Sequence, residues 1–207
     1  ENVMSDISTK PTLRISHIVY GRESSGNRVT YLVDPKGQGS ERVVPETVVL
    51  KRWRKRSFPG HSFSGARLSS TNWRAVQLAF GPDVDKWQQF SEEKIATLLD
   101  AKREVLAQSG YLKLPSAATL HALFATCGSE RLKKLLERHH SEEHKGLSGV
   151  PDLFLFATND STGITSIARF VEVKKPEEQI SQVQVDEIIF MNKLGLHARV
   201  LRLIERT

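Results

Sequence analysis

Hydrophobic and polar positions follow a strand-like rhythm early in the chain, take up a helical period, and then alternate again. Leu13, Ile15, Ile18, Val19 and Tyr20 predict a strand, residues 23–28 a turn, and residues 29–33 a returning strand. A second turn over residues 34–39 leads into a Val-rich strand expected over residues 42–50 and interrupted by Pro45. Together these form a small β meander, with residues 1–10 a polar, frayed start. Residues 57–72 are rich in Gly, Ser, Pro and Arg and read as a linker or exposed loop.

From Trp73 the period becomes helical. Residues 73–80 predict a short helix ended by Gly81-Pro82, and residues 83–87 a further helical turn. Ser91 caps a longer helix over residues 92–108, with Glu92 and Glu93 in its first turn. Its apolar positions Ile95, Leu98, Leu99, Val105 and Leu106 share one face, and Gly110 ends it. Pro115-Ser116 opens a helix stopped by Gly128, and Ser129 caps another that runs to about His140. Strand character returns over residues 153–157, followed by a hairpin turn over 159–163 and a strand over 167–174. Pro176 forbids extension of that strand in a ladder. Ile180, Val183, Ile188, Met191 and Leu194 form a helical stripe behind the cap Ser181, Gly195 stops it, and residues 198–204 close as a strand. Strand, strand, helix, strand predicts an α/β fold class, a mixed sheet core with a helical layer. The implied division is a small N-terminal β-rich region over residues 1–56, the linker, and a main domain over residues 73–207.

Composition changes this picture little. The 207 residues are 39% hydrophobic and 26% charged, ordinary for a globular chain with a real core. No apolar run approaches the roughly 20 residues of a membrane helix. The chain opens on Glu1-Asn2-Val3, and we read it as a fragment of something longer. The single cysteine, Cys127, excludes an internal disulfide and makes a thiolate zinc cluster a poor reading; it accords with a reducing compartment. His139, His140 and His144 lie in a polar stretch without ligand spacing and read as a solvated helix end.

Charge adds more. The formal charge of +6 and the pI near 9.5 favour a polyanionic partner, because each phosphate contact releases counterions. The densest run is Lys51-Arg52-Trp53-Arg54-Lys55-Arg56. Five cations around a tryptophan suit a phosphate backbone, with the indole stacked on a base or sugar. A solvated run that guards a strand edge is the competing reading.

The candidate chemistry lies in the last third. In Phe170-Val-Glu-Val-Lys174 the side chains of Glu172 and Lys174 project from one face of a strand, about 7 Å apart. Alone, the pair would be an inconsequential surface bridge. Twenty positions before Glu172, however, Asp152 stands in Gly149-Val-Pro-Asp-Leu153 at the start of the partner strand. Two converging carboxylates repel unless a cation lies between them, and magnesium takes one or two protein carboxylates with waters and substrate phosphate. Such an ion polarises a phosphodiester and acidifies a bound water, while Lys174 orients that water or offsets charge on phosphorus. No activated serine or cysteine is signalled.

The three segments Gly149-Val-Pro-Asp-Leu153, Phe170-Val-Glu-Val-Lys174 and Ile180-Ser-Gln-Val-Gln184 together resemble the VRR-NUC branch of the PD-(D/E)xK nucleases. The resemblance covers residues 146–204, and more loosely the helices from residue 117. It implies a restriction-endonuclease-like fold and a deoxyribonuclease using Mg2+ or Mn2+. It also implies branched or flapped DNA as substrate, in repair or recombination. Asp152, Glu172, Lys174 and Gln184 become the catalytic set, with Asp152, Glu172 and the Val173 backbone carbonyl on the metal. The family adds an upstream glutamate, for which Glu93, with its neighbour Glu92, is the first choice and Glu46, Glu104 and Glu137 are weaker ones. DNA contacts are expected from Lys51, Arg52, Trp53, Arg54, Lys55, Arg56 and Lys175. The expected setting is intracellular, with DNA, without membrane, and with a homodimer as an option. Two alternatives stay open: a catalytically impaired DNA-binding module, and a restriction-type defence nuclease whose first 56 residues read sequence.

Overall fold

The computed structural model describes residues 15–25, 28–32, 42–111, 113–141 and 149–205. The expectations for residues 1–10, for the turn at 34–39 and for His144 lie outside the described residues. Among the described residues seven strands share one sheet: β1 (Ile15–Ser25), β2 (Arg28–Leu32), β3 (Arg42–Val43), β4 (His61–Arg67), β5 (Leu153–Asn159), β6 (Thr165–Lys174) and β7 (Ala198–Glu205). Their order is β3-β2-β1-β7-β6-β5-β4. β7 runs parallel to both β1 and β6, and the other neighbours are antiparallel.

The strand expected over residues 42–50 stops after Val43, and α1 (Pro45–Arg54) takes its place. Proline at the first helical position has its φ preset and no amide hydrogen to lose. Pro45, Val48, Val49 and Trp53 then fall at helical spacing and are buried together. Burial of that stripe outweighs the strand preference of the valines. The linker expected over residues 57–72 is also different: it contains β4, which pairs with β5 along its whole length. Serine, glycine and arginine suit an edge strand as well as a loop, so composition alone misreads it.

The remaining helices are α2 (Ser70–Phe80), α3 (Val84–Trp87), α4 (Glu92–Ala101), α5 (Arg103–Gln108), α6 (Ala117–His140) and α7 (Gln182–Lys193). Ser91 caps α4 by accepting from the Lys94 amide, but the helix expected over 92–108 divides at Lys102. α6 is broken at Gly128, whose φ of 71° and ψ of 161° leave helical space as its sequence predicts.

Alternation along β5 assigns its side chains to two cores. Phe154 and Phe156, with Phe170 and Val200, pack under Trp73, Leu120, Phe124, Leu135, Ile188 and Met191 of the helical layer. Leu153 and Leu155, with Val171, Val173 and Leu201, pack under Val48, Val49 and Trp53 of α1. Residues near the start of β5 and the end of β6 therefore lie between helices on both faces. The candidate chemistry sits there.

Candidate active site

β5 and β6 set the site. Leu153 pairs with Val171, so Asp152 stands just beyond the ladder beside Glu172 and Val173. Asp152 is fixed rather than swinging: its Oδ2 accepts the Val173 backbone N–H at 2.8 Å. Glu172 and Lys174, at adjacent same-face positions, are only 2% and 4% exposed, and the Lys174 ammonium lies 3.0 Å from Glu172 Oε1.

α7 supplies the third side. Ser181 caps it, accepting from the Gln184 amide, while Gln184 Oε1 accepts the Ser181 N–H at 3.0 Å. The other end of the Gln184 amide donates to Glu172 Oε1 at 2.5 Å. One side chain therefore closes a capping box and holds the strand carboxylate. α7 comes this close because residue 149 is glycine: a Cβ there would lie 2.8 Å from the Val183 carbonyl oxygen.

Burial first, then the charge of Asp152, pushes the Glu172 carboxyl up to about 7, against the pull of Lys174. Asp152 is likewise raised, by burial first, with the Val173 amide opposing and Glu46 adding like charge. Burial pulls the Lys174 ammonium down, but the hydrogen bond and charges of Glu172 and Glu178 outweigh it and hold it above its ordinary value. The arrangement is an acidic pair short of positive charge.

The expected residues divide cleanly. Asp152, Glu172, Lys174 and Gln184 come together. Glu93 does not: it is exposed on α4, which packs against other helices, and its charge is absent from those that act on Asp152 or Glu172. Glu46, in the first turn of α1, acts on Asp152 instead and lies 3.6 Å from Arg67. Glu46 ranked among the weaker candidates because it stood in a misread strand; Pro45 as a helix start is the signal that would have raised it. Glu178 was not among the expected residues. Its carboxylate reaches Lys174 at 3.3 Å and the Lys175 amide at 3.3 Å.

The basic run needs correction at its centre. Trp53 is 4% exposed, and its indole N–H is shared between the carbonyls of Ser64 (2.8 Å) and Phe156 (3.0 Å). It is a core residue that ties α1 to β4 and β5, so no base can stack on it. Arg54 donates to the Gly65 carbonyl, while Arg52, Lys55, Arg56 and Lys175 are exposed and Lys51 is half-buried. His139 is no solvated helix end either. It is 5% exposed, stacked on Trp73, and bonded to Glu187, which Arg138 also engages. Burial drives the buried Cys127 thiol up to about 12, which removes it as a nucleophile.

Among the described residues no group of three His, Cys, Asp or Glu side chains is gathered to hold an ion. Magnesium does not require one, since water and substrate complete its shell. Asp152 and Glu172, raised by burial first and then by neighbouring carboxylates (Glu46 on Asp152, Asp152 on Glu172), are hard oxygen donors whose charge a divalent ion would balance. The donor set fits Mg2+ or Mn2+.

Residues 86–203 match the family model of the VRR-NUC domain, more than half of the chain, and the chain belongs to that family. No curated protein matches it in sequence. Among solved structures it is similar to paFAN1 bound to 1nt 5′-flap DNA with gap, at 14% identity and a TM-score of 0.53. A second paFAN1 structure, with 2nt 5′-flap DNA, gives 13% and 0.52. Each alignment covers 95% of this chain and 38% of the other, so this chain spans little more than a third of paFAN1. The likeness is one of fold: a restriction-endonuclease-like mixed sheet with a helical layer.

Proposed function

We propose that this protein is a metal-dependent deoxyribonuclease selective for flapped or branched DNA, acting in repair or recombination. The observation that carries it is the convergence of Asp152, Glu172, Lys174 and Gln184 where β5, β6 and α7 meet. Family membership and the DNA carried by the paFAN1 structures support the substrate class.

Asp152, Glu172 and the Val173 carbonyl would hold Mg2+ or Mn2+, with Glu46 the upstream glutamate. A bound ion supplies Lewis acidity toward the phosphodiester and lowers the pKa of an attacking water. The protein's own part is placement. The Val173 amide fixes Asp152, Gln184 fixes Glu172, and Glu172 with Glu178 fixes Lys174. Lys174 carries three donors; with two engaged, the third faces a phosphate oxygen and offsets charge that builds on phosphorus. The exposed cations Arg52, Lys55, Arg56 and Lys175 contact the phosphate backbone as point charges. Arg56 is pulled down by burial and by the like charges of Arg169 and Arg52, which supports an anion in that neighbourhood.

The test is cleavage of labelled single-stranded, duplex, flap and four-way-junction DNA in magnesium, manganese or EDTA. Metal-dependent cutting of flap or junction DNA that disappears in Asp152→Ala is expected. Binding without cutting in either metal would leave only a DNA-binding module.

A further inference from the structure

Next to the lysine of the site, a short turn is fastened by a residue that has had no role so far. Arg202 stands on β7 in register with Lys174 on β6. The two N–H bonds of its Nη1 are shared among three carbonyls of the turn that follows Lys174: Lys175 at 3.0 Å, Pro176 at 2.9 Å and Glu178 at 2.8 Å. Three carbonyl dipoles aimed at one spot repel one another unless a cation satisfies them. The same turn is closed by the Glu178 amide on the Lys175 carbonyl at 3.2 Å.

Glu178 is thereby delivered to the site. Its side chain is 44% exposed, yet both carboxylate oxygens are engaged, one by the Lys175 amide and one by the Lys174 ammonium. An exposed ion pair is too weak to order a turn by itself, because immobilising each backbone residue costs more than such a pair returns. Something else must shape the turn, and the Arg202 guanidinium is the group bonded to its carbonyls. Lys174 then has one N–H on Glu172 and one on Glu178, and the direction of the third is fixed by geometry.

We propose that Arg202 is a positioning residue for phosphodiester hydrolysis: through the carbonyls of residues 175, 176 and 178 it sets Glu178 on Lys174 and so aims the lysine at the scissile phosphate. This rests on the nuclease reading above. The test is a double-mutant cycle on the full chain, with kcat and KM measured on whichever labelled DNA the wild type cuts best. Arg202→Met keeps the apolar stem and loses the donors; its kcat is expected to fall about tenfold, as for other supporting residues, with KM and its salt dependence unchanged. Glu178→Gln falls by a similar factor, and the double variant is no slower than the slower single one, because both changes remove the same link. Arg202→Lys, whose ammonium offers three donors, recovers part of kcat, and free guanidinium ion does the same for Arg202→Met but not for Glu178→Gln.

Losses that multiply to about a hundredfold in the double variant overturn the proposal. So does a change confined to KM with a shallower salt dependence, which would make Arg202 a phosphate contact. If Arg202→Met melts below the assay temperature, the cycle run with Arg202→Gln decides in the same way. A wild type that cuts no DNA sinks the nuclease reading itself, whereas an active wild type with multiplying losses sinks only the role of Arg202.

Discussion

Replacing Glu172 by glutamine tests the electrostatics of the site without any need for turnover. The carboxyl rises from an ordinary 4.5 to about 7 in the metal-free fold. A folded-state value above the unfolded one means that the native state binds the proton more tightly. The stability gained this way is full below about pH 4.5 and is lost as pH climbs to about 7. The displacement of roughly 2.5 units, at about 1.4 kcal/mol each, makes the loss about 3 kcal/mol between pH 4.5 and pH 8. Glutamine imitates the protonated acid and has nothing to lose. Thermal melts in EDTA across that range should therefore show the wild type falling by about 6–12 °C more than Glu172→Gln, at roughly 2–4 °C per kcal/mol for a chain of this size. Magnesium at pH 8 should restore most of the deficit in the wild type and little in the variant. Parallel curves for the two proteins would refute the account of Glu172 as a buried acid whose charge Lys174 balances only in part.

Four further outcomes can be checked. Glu46→Gln should weaken metal-dependent cleavage by about 10–100-fold, whereas Glu93→Gln should stay within about twofold of wild type; the reverse ranking would return the upstream glutamate to α4. Trp53→Phe leaves two carbonyls short of a donor and removes part of a buried ring, so denaturant melts should show a loss of about 2–4 kcal/mol. DNA affinity of whatever remains folded should be unchanged. Gly149→Ala forces a methyl against the Val183 carbonyl, costing about 1–3 kcal/mol and lowering cleavage as α7 is pushed from Glu172. Arg52→Ala with Lys55→Ala should weaken DNA binding and reduce its salt slope by about 1 per lost contact, and an unchanged slope would remove these residues from the footprint.

What could be read from the sequence follows from how locally each feature is encoded. Residues 170–174 announce their strand by period two, with Val171 and Val173 alternating with Glu172 and Lys174, so the two chemical residues were legible as neighbours. Ser181 was legible as a helix cap from its residue type, whereas Gln184 was reached only through the family resemblance; the structure adds that the two close a capping box and that Gln184 also donates to Glu172. Val48-Val49-Leu50 misled because β-branched residues favour strands while their true partners lie a hundred residues away on β5. Glu46 shared that fate. Trp53 looked like a DNA contact because its neighbours are all cations, and a helix turns those cations outward while the indole points in. Glu178 and Arg202 had no local mark at all, since they meet only when β6 and β7 lie side by side.

The parallel pairing of β1 with β7 has a consequence for how such a chain is made. Ile15 lies opposite Val200, so a strand near one end of the sequence finds its sheet partner near the other. During synthesis β1 emerges long before β7 exists, and together with β2 it must wait with an unsatisfied edge. The pairing of β4 with β5 also joins segments far apart in the sequence, whereas β1 with β2 and β5 with β6 join neighbouring segments. A pairing of this kind must close a long loop before its contacts reward it, which favours late docking of β1 on β7 and slower folding. The site on β5, β6 and α7 therefore rests on a sheet that is completed only when its first and last described strands meet.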